Sequence, residues 1–128
     1  MAEFNEDDHI KTVADAIEVA LIDAEDLAEA GNYNEAITLA DRAAQIAYSK
    51  GNVVLAVKAA SDAHRYNARS LTLAEFWKSF HEFYSIVRNE WLQGRSDAEA
   101  KQAYVLLQEL ETFGDDLAKQ RALEAPED

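Results

Sequence analysis

The sequence predicts an all-α fold, a small bundle of about five antiparallel helices, on three observations. Apolar residues recur at three- and four-residue steps along most of the chain, and no stretch alternates over the length of a strand. Breakers are few, one Pro and four Gly in 128 residues, while Ala, Leu, Glu, Asp and Lys dominate. Two interruptions also carry helix-start chemistry: Thr72-Leu73-Ala74-Glu75 and Ser96-Asp97-Ala98-Glu99 read as capping boxes. In each, the hydroxyl accepts from a free N–H three residues on while the Glu reaches back. A chain of this length hides about two-thirds of its unfolded surface without disulfides or metal.

Residues 1–8 are polar, acidic and aperiodic, and are expected to form a flexible tail ahead of a single helical domain over 9–122. In the first helix Ile10, Val13, Ile17, Leu21, Ala24, Leu27 and Ala28 make one apolar stripe that stops at Gly31, a natural residue for a left-handed terminus. Asn32 or Asn34 can cap the second helix, which carries Ala36, Ile37, Ala40, Ala43, Ala44 and Ala47 and ends near Lys50-Gly51. Asn52 caps a third, with Val54, Val57, Ala60 and Ala63, fading between Asn67 and Ser70. The first capping box opens a fourth helix ending at Gln93-Gly94. The second opens a fifth, with Ala103, Leu106, Leu107, Leu110 and Phe113, that is expected to stop at Gly114. Asp115 or Asp116 then starts a short turn through Leu117, and residues 123–128, with Pro126, form a second acidic tail.

The formal charge of −13 is unevenly placed: residues 1–35 are net −10, residues 36–95 net +3 and residues 96–128 net −6. Direct nucleic-acid binding, which needs clustered Lys and Arg, is therefore not expected. No apolar run approaches the roughly 18 residues that span a bilayer, and no signal-peptide core follows Met1, so no membrane role is expected. With no Cys, thiol catalysis, zinc ribbons and iron–sulfur clusters are out, and a reducing cytoplasmic location is the expectation.

Two segments align at a spacing of twenty residues. Gly31-Asn32, Ala36-Ile37, Ala40 and Ala43 match Gly51-Asn52, Ala56-Val57, Ala60 and Ala63, as a duplicated unit or as two helices meeting the same packing problem. The run Leu27-Ala28-Glu29-Ala30-Gly31-Asn32-Tyr33-Asn34-Glu35-Ala36-Ile37, followed by Ala40 and Ala43, resembles the turn and second helix of a tetratricopeptide repeat. Ala24 and Leu27 sit where that motif places a small and a large residue in its first helix. The resemblance covers residues 17–50 as one repeat. It departs at Ala40, smaller than the usual aromatic or Leu, and in lacking a Pro near Tyr48, and residues 51–128 do not continue the roughly 34-residue period.

What the resemblance implies is a repeat-like hairpin with a surface for partners, since in such repeats the exposed side of the first helix lines a peptide groove. Here that side carries Glu18, Glu25 and Glu29, which fall together on a helical wheel and suit a basic peptide or protein patch. Val19 and Ile22 lie among these acids, off the main stripe. They form either a second buried seam, the favoured expectation, or an exposed apolar spot in an acidic field, which would be an interaction site.

Catalytic chemistry finds no support. Glu6-x-x-His9 has the spacing of a helical metal pair, but di-iron bundles need two such pairs and no second one occurs. Asp62 with His64, and His81 with Glu82, are one or two residues apart and diverge on a helix. Phosphate-cradling loops and nucleophile elbows are absent. No cofactor, metal or enzymatic activity is expected.

The fourth helix holds Phe76, Trp77, Phe80, Phe83, Tyr84 and Trp91 in one stripe with Leu73 and Val87. It is expected to be the central post of the core, packed by Ala faces, with Tyr84 and Trp91 near its end the best candidates for a docking patch. The function these features point to is a non-catalytic protein–protein interaction module. It would bind a basic partner through Glu18, Val19, Ile22, Glu25 and Glu29, with Tyr84 and Trp91 as further anchors, and a homodimer is compatible with it. The alternative is an inhibitor that mimics nucleic acid, of the anti-CRISPR or anti-restriction type, which needs the acids of both chain ends to merge into one surface.

Overall fold

The computed structural model describes residues 6–124, with side chains from Thr12 onward. Five α-helices follow one another, α1 (Glu6–Glu29), α2 (Tyr33–Ser49), α3 (Val53–Asn67), α4 (Leu73–Ile86) and α5 (Asp97–Glu124), and no strand occurs among the described residues. A 3-10 turn, Ala68–Ser70, closes α3, and a π turn, Val87–Trp91, extends α4. The fold is the small all-α bundle the periodicity predicts. α1 begins at Glu6, three residues ahead of expectation. Residues 1–5 and 125–128, within the expected acidic tails, lie outside the described residues.

The two Gly-Asn turns are the same device used twice. After α1, Gly31 donates to the Ala28 carbonyl at 3.0 Å and Asn32 to that of Leu27 at 2.8 Å. After α2, Gly51 donates to Tyr48 at 3.0 Å and Asn52 to Ala47 at 2.9 Å. Both pairs are Schellman closures, which need a left-handed residue at the glycine, and φ is +88° at Gly31 and +80° at Gly51. Asn52 then caps α3 by accepting from the Leu55 N–H at 3.1 Å. Asn32 makes no such side-chain bond.

Both capping boxes form. Glu75 donates its N–H to the Thr72 hydroxyl at 3.1 Å while its carboxylate accepts from the Thr72 N–H at 2.9 Å. Ser96 and Glu99 repeat the pattern at 3.2 and 3.3 Å. The backbone N–H of Thr72 and then its hydroxyl hold the Glu75 carboxyl below its ordinary value. A lowered folded-state pKa contributes stability above the unfolded value and loses it as pH falls through the folded one. Thr72→Ala is therefore expected to lower stability by about 1 kcal/mol near neutrality, read as a lower urea midpoint at unchanged m-value. Only the hydroxyl's smaller share of the deficit should fade in acid, because the backbone N–H that chiefly holds the Glu75 carboxylate survives the substitution; a deficit that grows in acid contradicts the role of that carboxylate.

Alanine on both sides of the contact lets α2 and α3 approach closely. Ala36, Ala40, Ala43, Ala44 and Ala47 on one helix and Ala56, Ala59, Ala60 and Ala63 on the other are all buried. α3, buried on nearly every side, is in contact with α1, α2 and α5. It therefore takes the central position that the sequence assigned to the aromatic helix. Phe76, Phe80, Phe83 and Val87 of α4 and its π turn are buried as expected, but they fill the space beside α3 rather than forming the axis of the bundle.

Helix α5 corrects the expected stop at Gly114. Gly114 lies within the helix, is buried, and is absent from the glycines with positive φ, which are Gly31, Gly51 and Gly94. Its smallness serves packing: a Cβ there would stand 2.5 Å from Cε1 of Phe76 and 2.7 Å from Cη2 of Trp77. Beyond it α5 continues to Arg121, whose guanidinium donates to the carbonyls of Leu71 at 2.7 Å and Ala68 at 2.8 Å and so ties down the connection between α3 and α4. The expected continuous end of α4 at Gln93-Gly94 is likewise replaced, at Ile86, by the π turn, whose last turn closes with Leu92 donating to Val87 at 2.9 Å.

Candidate functional site

Helix α1 packs mainly on α2 and more lightly on α3, through Ile17, Leu21, Ala24 and Ala28. No element among the described residues covers its opposite side. Each residue turns a helix by about 100°, which gathers Asp15, Glu18, Val19, Ile22, Asp23, Glu25, Asp26 and Glu29 on that side, and all eight are exposed. Six are acids and none is a base. Among the described residues none of the six carboxylates enters an ion pair or a side-chain hydrogen bond.

Val19 is 56% and Ile22 59% exposed, so the expectation of a second buried seam is wrong. Among the described residues no third helix lies against this flank of α1. The two side chains form instead the apolar spot within an acidic field. Ile22, Val19 and Ala16 follow one another at three-residue steps, the spacing of neighbours on a helix surface. Ala16 opens onto a mainly apolar groove between α1 and α2, lined by Val13, Ile17, Ala20, Leu39, Ala43 and Ile46 together with one base, Arg42, and enclosing about 280 Å³.

The acids also act inward. Glu25 and Glu29 lie near enough to α3 to help raise the Tyr66 phenol, which burial first, and then Asp62, pushes up to about 12. The Tyr66 hydroxyl is buried without a hydrogen-bond partner among the described residues. Burial raises the Asp62 carboxyl, opposed by its hydrogen bond and ion pair with Arg65.

The seven residues proposed from sequence do not form one patch. Glu18, Val19, Ile22, Glu25 and Glu29 share the α1 face. Trp91 lies instead at the C-terminal end of α2, its ring centroid 5.1 Å from that of Tyr48 and 5.8 Å from that of Phe83. Tyr84 is half-buried against Phe80 and Tyr104, with the Arg88 guanidinium 5.8 Å from its ring centroid.

The acids of α5 divide as well. Glu109 and Asp116 line a cleft of about 390 Å³ between α3 and α5 together with Lys58, Asp62 and Arg65. Glu111 and Asp115 fall on the other flank of α5 by the same 100° rotation. No group of three or more His, Asp or Glu able to hold a metal occurs among the described residues. The Glu6–His9 spacing falls in a turn of α1 whose side chains are outside them. No helix among the described residues is long and apolar enough to cross a membrane.

No family model matches this chain, no curated protein matches its sequence, and no solved structure matches its fold. Sequence reading missed Ile46, Tyr48 and Asp41, because their part in the surface comes from contacts with other helices rather than from a pattern along α2.

Proposed function

We propose that this protein is a non-catalytic protein–protein interaction module that engages a basic partner surface through the exposed face of α1. One observation carries the reading: Val19 and Ile22 stand exposed among six carboxylates that have no ion-pair partner among the described residues. Exposed aliphatic residues ringed by polar ones are the composition of a docking site. Fixed like charge around them speeds encounter with an oppositely charged partner and rejects acidic ones. The groove beside Ala16 gives the apolar part of such a partner a continuation toward α2, with Arg42 at its wall confining the partner's positive charge to the α1 face. The tetratricopeptide-like hairpin of α1 and α2 belongs to this proposal, as does a reducing, cytoplasmic setting for a chain without Cys.

The second reading, a nucleic-acid-mimicking inhibitor, is favoured by the run of α1 acids uninterrupted by any base. It is weakened by two bases, Lys58 and Arg65, which share the cleft between α3 and α5 with Glu109 and Asp116.

The test is affinity capture from host lysate at low and high salt, with wild type compared to a variant carrying Glu18→Gln, Glu25→Gln and Glu29→Gln. The triple variant should associate with the recovered partner about tenfold or more slowly while melting as wild type does, since exposed substitutions change stability by only about ±0.5 kcal/mol. Undiminished binding at low salt sinks the acidic-face proposal. Recovery of a nucleic-acid-binding enzyme, from which DNA or RNA displaces this protein, selects the inhibitor reading instead.

A further inference from the structure

A second surface is built where α2, α3 and the π turn meet. Asp41, Ala44 and Tyr48 follow one another along one side of α2 and face Ala60, Phe83 and Trp91 across a cavity of about 260 Å³. Ala44 and Ala60 are buried and make its floor, and Phe83, 6% exposed, makes its back. Tyr48 and Trp91 stand at one end with their rings inclined by 36°, and Trp91 meets Phe83 edge to face at 80°. The π turn makes this possible. Its wider hydrogen-bonded turn rotates the chain less per residue than an α-helix and so carries Trp91 back toward the side occupied by Phe83, and such turns recur at functional sites.

The charge of the pocket is one-sided. Its lining includes one carboxylate, Asp41, and no base. Asp41 has no ion pair or side-chain hydrogen bond among the described residues. Burial by its neighbours raises its carboxyl above the ordinary value, with His64 pulling the other way. His64 is stacked on Phe83 at 4.6 Å, and its Nδ1 lies 2.8 Å from the Ala60 carbonyl, to which it donates. Arg95, the base that follows Trp91 in sequence, donates to the Gly51 carbonyl at 3.0 Å.

Aromatic faces attract a cation within about 6 Å of the ring centroid, Trp and Tyr most strongly, and also cover its apolar stem. The volume lies just under the roughly 300–1,000 Å³ of pockets that bury a drug-sized ligand, which suits a single side chain rather than a cofactor. A lone carboxylate matches a compact ammonium better than a guanidinium, whose flat fork is satisfied by paired acceptors.

We propose that this pocket recognises one alkylammonium group of the lysine side-chain kind, its ammonium beside Asp41 and its methylenes lying over Ala44 and Ala60 between the aromatic walls. None of these residues belongs to the α1 face, so the pocket stands independently of the function proposed above.

The test follows the Trp91 indole N–H signal by NMR in the full chain, assigned with Trp91→Phe, during titration with n-butylammonium chloride, Nα-acetyl-lysine methylamide and n-butanol at constant ionic strength. Both ammonium compounds should shift the signal saturably, and n-butanol should need about tenfold higher concentration for the same shift. Asp41→Asn should weaken both ammonium compounds about tenfold without altering the melting temperature, and the triple Gln variant of α1 should titrate as wild type. Equal potency of n-butanol and n-butylammonium, or unchanged affinity in Asp41→Asn, overturns the proposal. So does a response to n-butylammonium with none to the lysine derivative, which would make the occupant a free amine.

Discussion

Phe76→Ala is expected to lower the free energy of unfolding by about 4 kcal/mol, the upper part of the range for a buried aromatic truncated to Ala. Phe76 is fully buried, and its ring links two helices, lying 6.0 Å from Phe113 on α5 and 5.3 Å, edge to face, from Trp77 on α4. Removing it takes away the transfer free energy of the ring and leaves a cavity between α4 and α5, which α5 closes only by giving up contacts with α3. The other term in the balance, the intrinsic preference of Ala for a helix, returns only about 0.5 kcal/mol. In thermal unfolding the loss should appear as a fall of roughly 15 °C in Tm. A loss under about 1 kcal/mol would mean that the contact between α4 and α5 is not packed as described.

Gly114→Ala should destabilise although it replaces the poorest ordinary helix former with the best. Propensity alone favours Ala by about 1 kcal/mol at an interior helix position. Against it, the new Cβ would stand 2.5 Å from the Phe76 ring and within 2.9 Å of two Trp77 ring atoms, closer than carbon atoms approach without something moving. Phe76 has no solvent-exposed surface into which it can retreat. Overpacking of this kind costs about 1–3 kcal/mol and occasionally more. With both rings engaged the upper end applies, and the net loss is about 2 kcal/mol. A double-mutant cycle isolates the cause: in a Phe76→Ala background Gly114→Ala should cost less by about 1 kcal/mol or more. If Gly114→Ala stabilises the protein, the close approach of α4 to α5 is wrong.

The same residue type thus has opposite meanings at three places. Gly31 and Gly51 end helices because the chain there must turn left-handed, and the residues that reveal this, Asn32, Asn52 and the Ala faces that follow, are close by in sequence. Gly114 has Phe113 before it and Asp115 and Asp116 after it, and nothing in that local pattern separates a helix end from a helix interior. Its role is set by Phe76 and Trp77, nearly forty residues away. The candidate surfaces divide in the same manner. That Glu18, Glu25 and Glu29 share a face follows from helical geometry alone. Whether Val19 and Ile22 are covered depends on how many helices reach α1, and only α2 and α3 do so appreciably. Trp91 stands out by its position near a helix end, but its partner Tyr48 could be found only once α2 and the π turn had been brought together.

By itself the sequence determined the all-α class, the order of the helices, the helix ends at Gly31 and Gly51 and both capping boxes, because each rests on hydrogen bonds or side-chain spacings spanning five residues or fewer. Only the tertiary structure decided that α3 rather than the aromatic helix is central, that α5 runs on through Gly114, that one flank of α1 is left to solvent, and that Asp41, Tyr48, Phe83 and Trp91 line one pocket. Those outcomes depend on which surfaces, tens of residues apart in the chain, exclude water from one another, and helical periodicity carries no information about that pairing.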